Sequence, residues 1–240
     1  MNGRFAGQVV MVAGGTGGLG RAVSLAFLGE GAKVEVTYVI PEEWAELQEL
    51  VAKLGGGALK GHEVDVTDEA AVDRVVDGIV AEHGKLDVLV NTVGGYAGGV
   101  KLWEMKTEVF EKMMALNLRP GYTLARAGTR VMLRQRRGAI VNVAAKAAFD
   151  HAAGAAAYAA SKAAALAMMD SLAADLRGSG VRVNSILPSI IDTAANRKAM
   201  PKADFAKWPK PEDIARVILF LCSEEAKVVQ GAAVTVYGDS

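Results

Sequence analysis

Short runs rich in β-branched residues alternate along this chain with longer stretches whose apolar positions recur at helical spacing. The strand-like runs cover residues 8–13, 33–38, 58–64, 86–91, 138–144, 181–187 and 232–237. Helical periodicity predicts 18–30, 42–54, 69–83, 107–137, 155–177 and 211–222 between them. Regular alternation of this kind implies βαβ units and a parallel sheet covered on both faces. The expected architecture is therefore α/β: a doubly wound parallel sheet of about seven strands, helices on both sides, forming a single domain over 1–240. Pro120-Gly121 falls inside 107–137 and should divide it into two helices. The stretch 189–209 shows neither period. It would sit above the carboxyl ends of the strands, where such sheets bind ligands, and is a candidate lid.

Composition narrows the function classes. Hydrophobic residues make up 51% and charged residues 22%, enough apolar material for a well-buried core. Lys+Arg and Asp+Glu number 27 each, so no net charge favours nucleic acid or an anionic membrane as a partner. Cys222 is the one cysteine and lies in an apolar helical stretch, Ile218-Leu219-Phe220-Leu221-Cys222, where a buried thiol and no disulfide are expected. With no leader-like apolar segment and no membrane-spanning run, a soluble, cytoplasmic protein is expected.

Two motifs carry chemistry. Gly14-Gly15-Thr16-Gly17-Gly18-Leu19-Gly20 follows the apolar run Val9-Val10-Met11-Val12 and opens a helix. Glycines there allow a tight turn and close approach to a dinucleotide pyrophosphate. Two registers fit, one through Gly14, Gly18 and Gly20 and another through Gly15, Gly17 and Gly20. Tyr158 and Lys162 stand four residues apart, one helical turn, on the same face. A phenol normally ionises near pH 10, and a neighbouring ammonium favours the phenolate. Such a pair can transfer a proton, which beside a dinucleotide site points to a nicotinamide-dependent oxidoreductase. The tip of the second strand, Thr37-Tyr38-Val39-Ile40, holds neither an acid for ribose hydroxyls nor an arginine for a 2′-phosphate, and Glu35 should point away from the ligand. NAD(H) and NADP(H) both stay open.

Tyr158-x-x-x-Lys162, the glycine run, Asp65-Val66, Asn91-Thr92-Val93-Gly94, Asn117 and Pro188 occur in the order found in the short-chain dehydrogenase/reductase family, which this chain resembles over essentially its whole length. The resemblance implies a Rossmann-type fold, with Tyr158 as proton donor and Lys162 lowering its pKa while holding the nicotinamide ribose. It implies that Asn117 holds a relay water and that Gly14, Gly15, Thr16, Gly18, Leu19, Gly20 and Tyr38 line the cofactor. Asp65 and Val66 would contact adenine, Asn91 and Gly94 the adenosine side, and Pro188, Ile191 and Thr193 the nicotinamide end. One departure stands out: Ala145, thirteen residues before Tyr158, occupies the place of the family's substrate-binding serine. Losing such a donor commonly costs about 10²–10³ in rate. The stretches 93–99, 145–150 and 192–208 look like those of the dihydropteridine reductase branch, which also lacks the serine and reduces an activated, conjugated quinonoid substrate.

Tyr96 is a substrate-stacking candidate or a plain loop tyrosine. His151, near the substrate mouth, is a substrate candidate or a solvated loop side chain. His62 and His83 have no partners at ligand spacing, so no metal is expected. Arg134, Arg136 and Arg137 suit a helix end, and Arg197 and Lys198 could clamp an acidic substrate or serve the lid. By resemblance, helices over 120–137 and 155–177 pair copies into a homodimer or homotetramer around a small-molecule substrate. A general carbonyl reductase or alcohol dehydrogenase, and a catalytically silent cofactor sensor, are the competing expectations.

Overall fold

The computed structural model describes residues 3–240. Seven parallel strands form one sheet in the order β3-β2-β1-β4-β5-β6-β7. They are β1 (Val9–Ala13), β2 (Lys33–Tyr38), β3 (Leu59–Glu63), β4 (Val88–Asn91), β5 (Gly138–Val143), β6 (Val181–Pro188) and β7 (Ala233–Val236). The helices are α1 (Gly18–Gly29), α2 (Pro41–Lys53), α3 (Glu69–His83), α4 (Thr107–Asn117), α5 (Arg119–Gln135), α6 (Ala156–Asp175), α7 (Ala194–Ala199) and α8 (Pro211–Cys222). This is the doubly wound α/β architecture expected from the alternation. Strand order reverses between β1 and β4, so the crevice at their carboxyl ends is the place for a ligand.

Side chains alternate across the strands and feed two cores. Val10, Val12, Val34, Val36 and Val90 face α1 and α8, meeting Val23, Phe27, Ile214 and Ile218. Met11, Leu89, Ile140 and Val183 face the other way, toward Val72, Val76, Leu124, Met132 and Met169 of α3, α5 and α6. Burying each of these larger side chains contributes about 1.5–3 kcal/mol, which explains why the central strands are apolar on both faces. Cys222 is buried in the first core, and burial pushes its thiol up to about 12. Among the described residues no helix is long and apolar enough to cross a membrane.

Two boundaries differ from expectation in detail. The 107–137 stretch breaks at Leu118 (φ −101°, ψ −49°), slightly ahead of Pro120. Proline fits the first turn of α5, where its missing N–H costs no hydrogen bond. The 189–209 segment is not wholly irregular. Thr193 caps α7 by accepting from the Asn196 N–H at 3.2 Å, and a 3-10 turn covers Phe205–Lys207. Asp192 N–H donates to the Pro209 carbonyl at 3.0 Å, closing the ends of the segment, while Trp208 is buried.

Candidate active site

The chain leaves β1 through Gly14, whose φ of 70° suits glycine, and enters α1. A Cβ at Gly20 would run into the Gly14 carbonyl, and one at Gly18 would lie 2.8 Å from the Thr193 methyl. At Gly17 the nearest atom would be 3.5 Å away. Close approach therefore fixes the Gly14, Gly18, Gly20 register, while Gly17 has room for a side chain. The turn is tied to β2, because Gly14 N–H donates to Thr37 Oγ1 (3.1 Å) and Gly15 N–H to the Thr37 carbonyl (3.2 Å). Gly17 caps α1 without a side-chain hydrogen bond, and the first turn holds no acid. An uncapped helix N-terminus with its positive dipole end fits a dinucleotide pyrophosphate.

Tyr158 and Lys162 stand on the first turns of α6, across from the end of β5. Lys162 is buried, and its Nζ donates to the Val143 carbonyl at 3.1 Å. Burial pulls its ammonium down to about 8. The Tyr158 phenol is pushed up to about 12, first by burial and then by Tyr96. Sequence reasoning expects Lys162 to lower that phenol. In this structure burial outweighs any such influence, because each group occupies a dry setting that penalises its charged form and the ammonium is directed to a carbonyl.

Loop 94–99 lies against this pair. The Tyr96 ring stands edge-on to Tyr158, centroids 5.0 Å apart at 77°, yet Tyr96 is 68% exposed. Asn117, at the end of α4, accepts from Gly95 N–H (2.9 Å) and donates to the Gly95 carbonyl (3.0 Å) and to Ser161 Oγ (3.0 Å). A Cβ at Gly94 would come within 2.8 Å of Lys162 Nζ and 2.9 Å of Asn117 Oδ1. Ala145 follows β5 with extended backbone, buried and without a side-chain donor. His151 is exposed on the turn whose Gly154 carbonyl accepts the Gly99 N–H at 2.9 Å.

The other cofactor candidates line the same crevice less directly. Tyr38 stacks on Trp44, centroids 5.3 Å apart and 6° from parallel. Asp65 Oδ1 accepts from the Thr67 N–H at 2.8 Å, so its carboxylate serves its own turn. Val66 and Leu19 are buried. Asn91 Nδ2 donates to Asn142 Oδ1 at 2.8 Å between adjacent strands. Pro188 ends β6, and Ile191 packs partly into the first core. Arg197 is committed to Asp192 (2.5 Å) and lies over the Phe205 ring. A cleft of about 520 Å³, lined by Gln8, Asp87, Arg137 and Cys222 among others, opens at the opposite end of the sheet, away from all of these groups.

Two contacts escape the sequence reading. Buried Glu35 accepts from His62 Nε2 at 2.6 Å and from His83 Nε2 at 2.7 Å, so the two histidines do share a partner. An acid at an inward strand position beside a histidine on the neighbouring strand is the only trace of this in the sequence. The three residues come together because Glu35 and His62 point to the same face of adjacent strands, under the last turn of α3. Glu35, Glu82 and His83 bring ligand atoms within 4.8 Å of one another, but Lys60 already pairs with Glu82. The second contact is Thr16 Oγ1 donating to Glu43 Oε2 at 2.9 Å.

The family model described as short chain dehydrogenase matches residues 8–204. A 3-oxoacyl-[acyl-carrier-protein] reductase of Thermotoga maritima is 32% identical over 245 residues, covering 98% of each chain. D-threitol dehydrogenase of Mycolicibacterium smegmatis is 34% identical over 246 residues, covering 98% of this chain and 93% of that one. The solved structure of ElxO with NADP bound superposes with a TM-score of 0.90 at 26% identity, covering 96% of this chain and 97% of that one.

Proposed function

Because the chain belongs to the short-chain dehydrogenase family and is an NAD(P)-dependent oxidoreductase, we propose that it reduces a small, planar, conjugated substrate, with quinonoid dihydropteridine as the first compound to test. The observation that carries this is Ala145, which leaves no hydroxyl donor at the end of β5 for the oxygen of an ordinary carbonyl. A substrate that is already electron-poor needs less help of that kind. Tyr96, edge-on to Tyr158 and open to solvent, offers a ring for a flat substrate to lie against.

Bound dinucleotide supplies the hydride, and the protein supplies position and a proton. Tyr158 Oη delivers that proton to the substrate atom; a phenol held near 12 is fully protonated at neutral pH. Lys162, fixed by the Val143 carbonyl, supplies a cation beneath loop 94–99. Asn117 holds that loop through Gly95, and a relay water at its backbone is compatible with this. Copies pair through α5 and α6 in the same proposal, where Tyr122 and Leu133 of α5 stay exposed in the single chain; sedimentation equilibrium would count them.

A second possibility, reduction of ordinary ketones or oxidation of alcohols, is favoured by the activities named for the two curated relatives. One experiment separates them. Wild type and Ala145→Ser are assayed with quinonoid dihydropterin and with a panel of ketones, following the reduced cofactor by absorbance. Rapid turnover of the quinonoid compound by wild type, with ketone reduction rising about 10–100-fold only in the serine variant, supports the proposal. Rapid ketone turnover by wild type sinks it in favour of the second possibility. Cofactor binding without turnover of either class leaves a nucleotide sensor.

A further inference from the structure

We propose that Glu43 makes this chain select against a 2′-phosphate, so that NADH binds in preference to NADPH. The inference rests on the dinucleotide-dependent activity above and names the cofactor form for that same site.

Thr16 is buried in the middle of the glycine turn, and its hydroxyl donates to Glu43 Oε2 at 2.9 Å. The same turn is bonded to the end of β2 through Thr37. The Glu43 carboxylate therefore stands where the phosphate-binding turn meets the tip of the second strand. In a sheet that seats the pyrophosphate on the N-terminus of α1, that junction is where the adenosine ribose lies. Glu43 reaches it from the first turn of α2, not from the strand tip, which is why the strand tip alone leaves the cofactor undecided.

The surrounding charges point the same way. Tyr38, Val39 and Ile40 at the tip carry no cation, and Tyr38 is stacked on Trp44. Arg21 is the guanidinium bonded to the turn: its Nε donates to the Thr16 carbonyl at 3.3 Å. Its terminal nitrogen is held by Glu46 at 2.9 Å. The guanidinium bonded to the turn is thus already paired with Glu46, while Glu43 reaches the same turn through Thr16. A ribose 2′-hydroxyl can donate to Glu43 Oε1, which takes part in no hydrogen bond among the described residues. A dianionic 2′-phosphate brought to the same place meets the carboxylate as a like charge, and the guanidinium bonded to the turn is already paired with Glu46.

Direct binding tests this without turnover. NADH and NADPH are titrated separately into the purified protein, following quenching of the intrinsic fluorescence to which Trp44 contributes. Wild type should bind NADH roughly 10- to 100-fold more tightly at low salt, and the gap should narrow as ionic strength rises. Glu43→Gln should tighten NADPH several-fold and shrink the ratio, and Glu46→Gln, by releasing Arg21, should improve NADPH alone. Equal affinities in wild type, or a ratio that neither salt nor either substitution alters, overturn the role of Glu43. Failure of both dinucleotides to bind overturns the proposed dinucleotide-dependent reduction at this site, a distinct outcome.

Discussion

Two groups of titratable side chains are withdrawn from water in this chain, and burial acts on them differently. Under α3, Glu35 receives an N–H from each of two histidines and is held below the usual carboxylate range even though burial pushes it up. In the crevice, Tyr158 and Lys162 have no ionic partner among the described residues, and burial drives both toward their neutral forms. A satisfied cluster stabilises the fold and has no proton to spare. A buried pair with no counter-charge costs stability and keeps groups ready to exchange protons with a ligand, as expected of a reactive site.

Removing the phenol should break the comparison at its most reactive point. Tyr158→Phe keeps the ring that Tyr96 packs against and deletes only the hydroxyl, and with it the proton. Turnover of whichever substrate proves active should fall about 10²–10⁴-fold. The melting temperature and dinucleotide affinity should hardly change. Retention of more than about a tenth of the wild-type rate would remove Tyr158 from the chemistry.

Lys162→Met sharpens it from the stability side. The ammonium is buried with one carbonyl as its partner, so a methionine of similar length should be neutral or stabilising by about 1–4 kcal/mol in the free protein. Activity should collapse in the same variant. The sign of the pH effect follows: a lysine whose folded value is depressed to about 8 binds fewer protons than the unfolded chain between there and its ordinary 10.5. Wild-type stability should therefore gain a rising component across that window, and the methionine variant should lack it. Urea melts at pH 7 and 9.5 measure both effects. A marked loss of stability in the variant would show that the ammonium is structurally satisfied after all.

The contrast also explains what was legible in the residues. Residues 33–38, predicted as a strand, form β2 with those bounds, because Val34, Val36 and Tyr38 alternate with Lys33, Glu35 and Thr37 in the period of two that marks a strand. The glycine turn and the Tyr158/Lys162 spacing are local, so one stretch of chain carries the whole signal. The Glu35 cluster joins three elements, and nothing within any one of them requires the others. Glu43 was hidden for a similar reason, since it reaches the turn from a helix while the strand tip is where periodicity directs attention. The burial that raises the Tyr158 phenol is not legible in the spacing, which reports direction on a helix and not the water around a group.

The smallest effect, and the one that isolates the satisfied cluster, comes from Glu35→Gln. A glutamine offers one acceptor where two imidazoles donate, and it turns an NH₂ toward the second ring. One buried donor is left unpaired, a loss of about 1–3 kcal/mol. Lys60, Glu82 and both histidines surround the site, so the variant must be read against wild type and not alone. Glu35 has its folded value depressed below 4.5, so its stabilising contribution is present in full above that pH. It is lost as pH falls through the folded value, because the unfolded chain takes up that proton first. The difference in unfolding free energy between wild type and Glu35→Gln should accordingly be largest at pH 7 and shrink toward pH 3. Dinucleotide affinity should stay unchanged, as neither histidine touches the glycine turn. A gap that stayed constant with pH would mean that Glu35 is already protonated when folded, and would place this cluster with Tyr158 and Lys162 among the groups whose charged form burial disfavours.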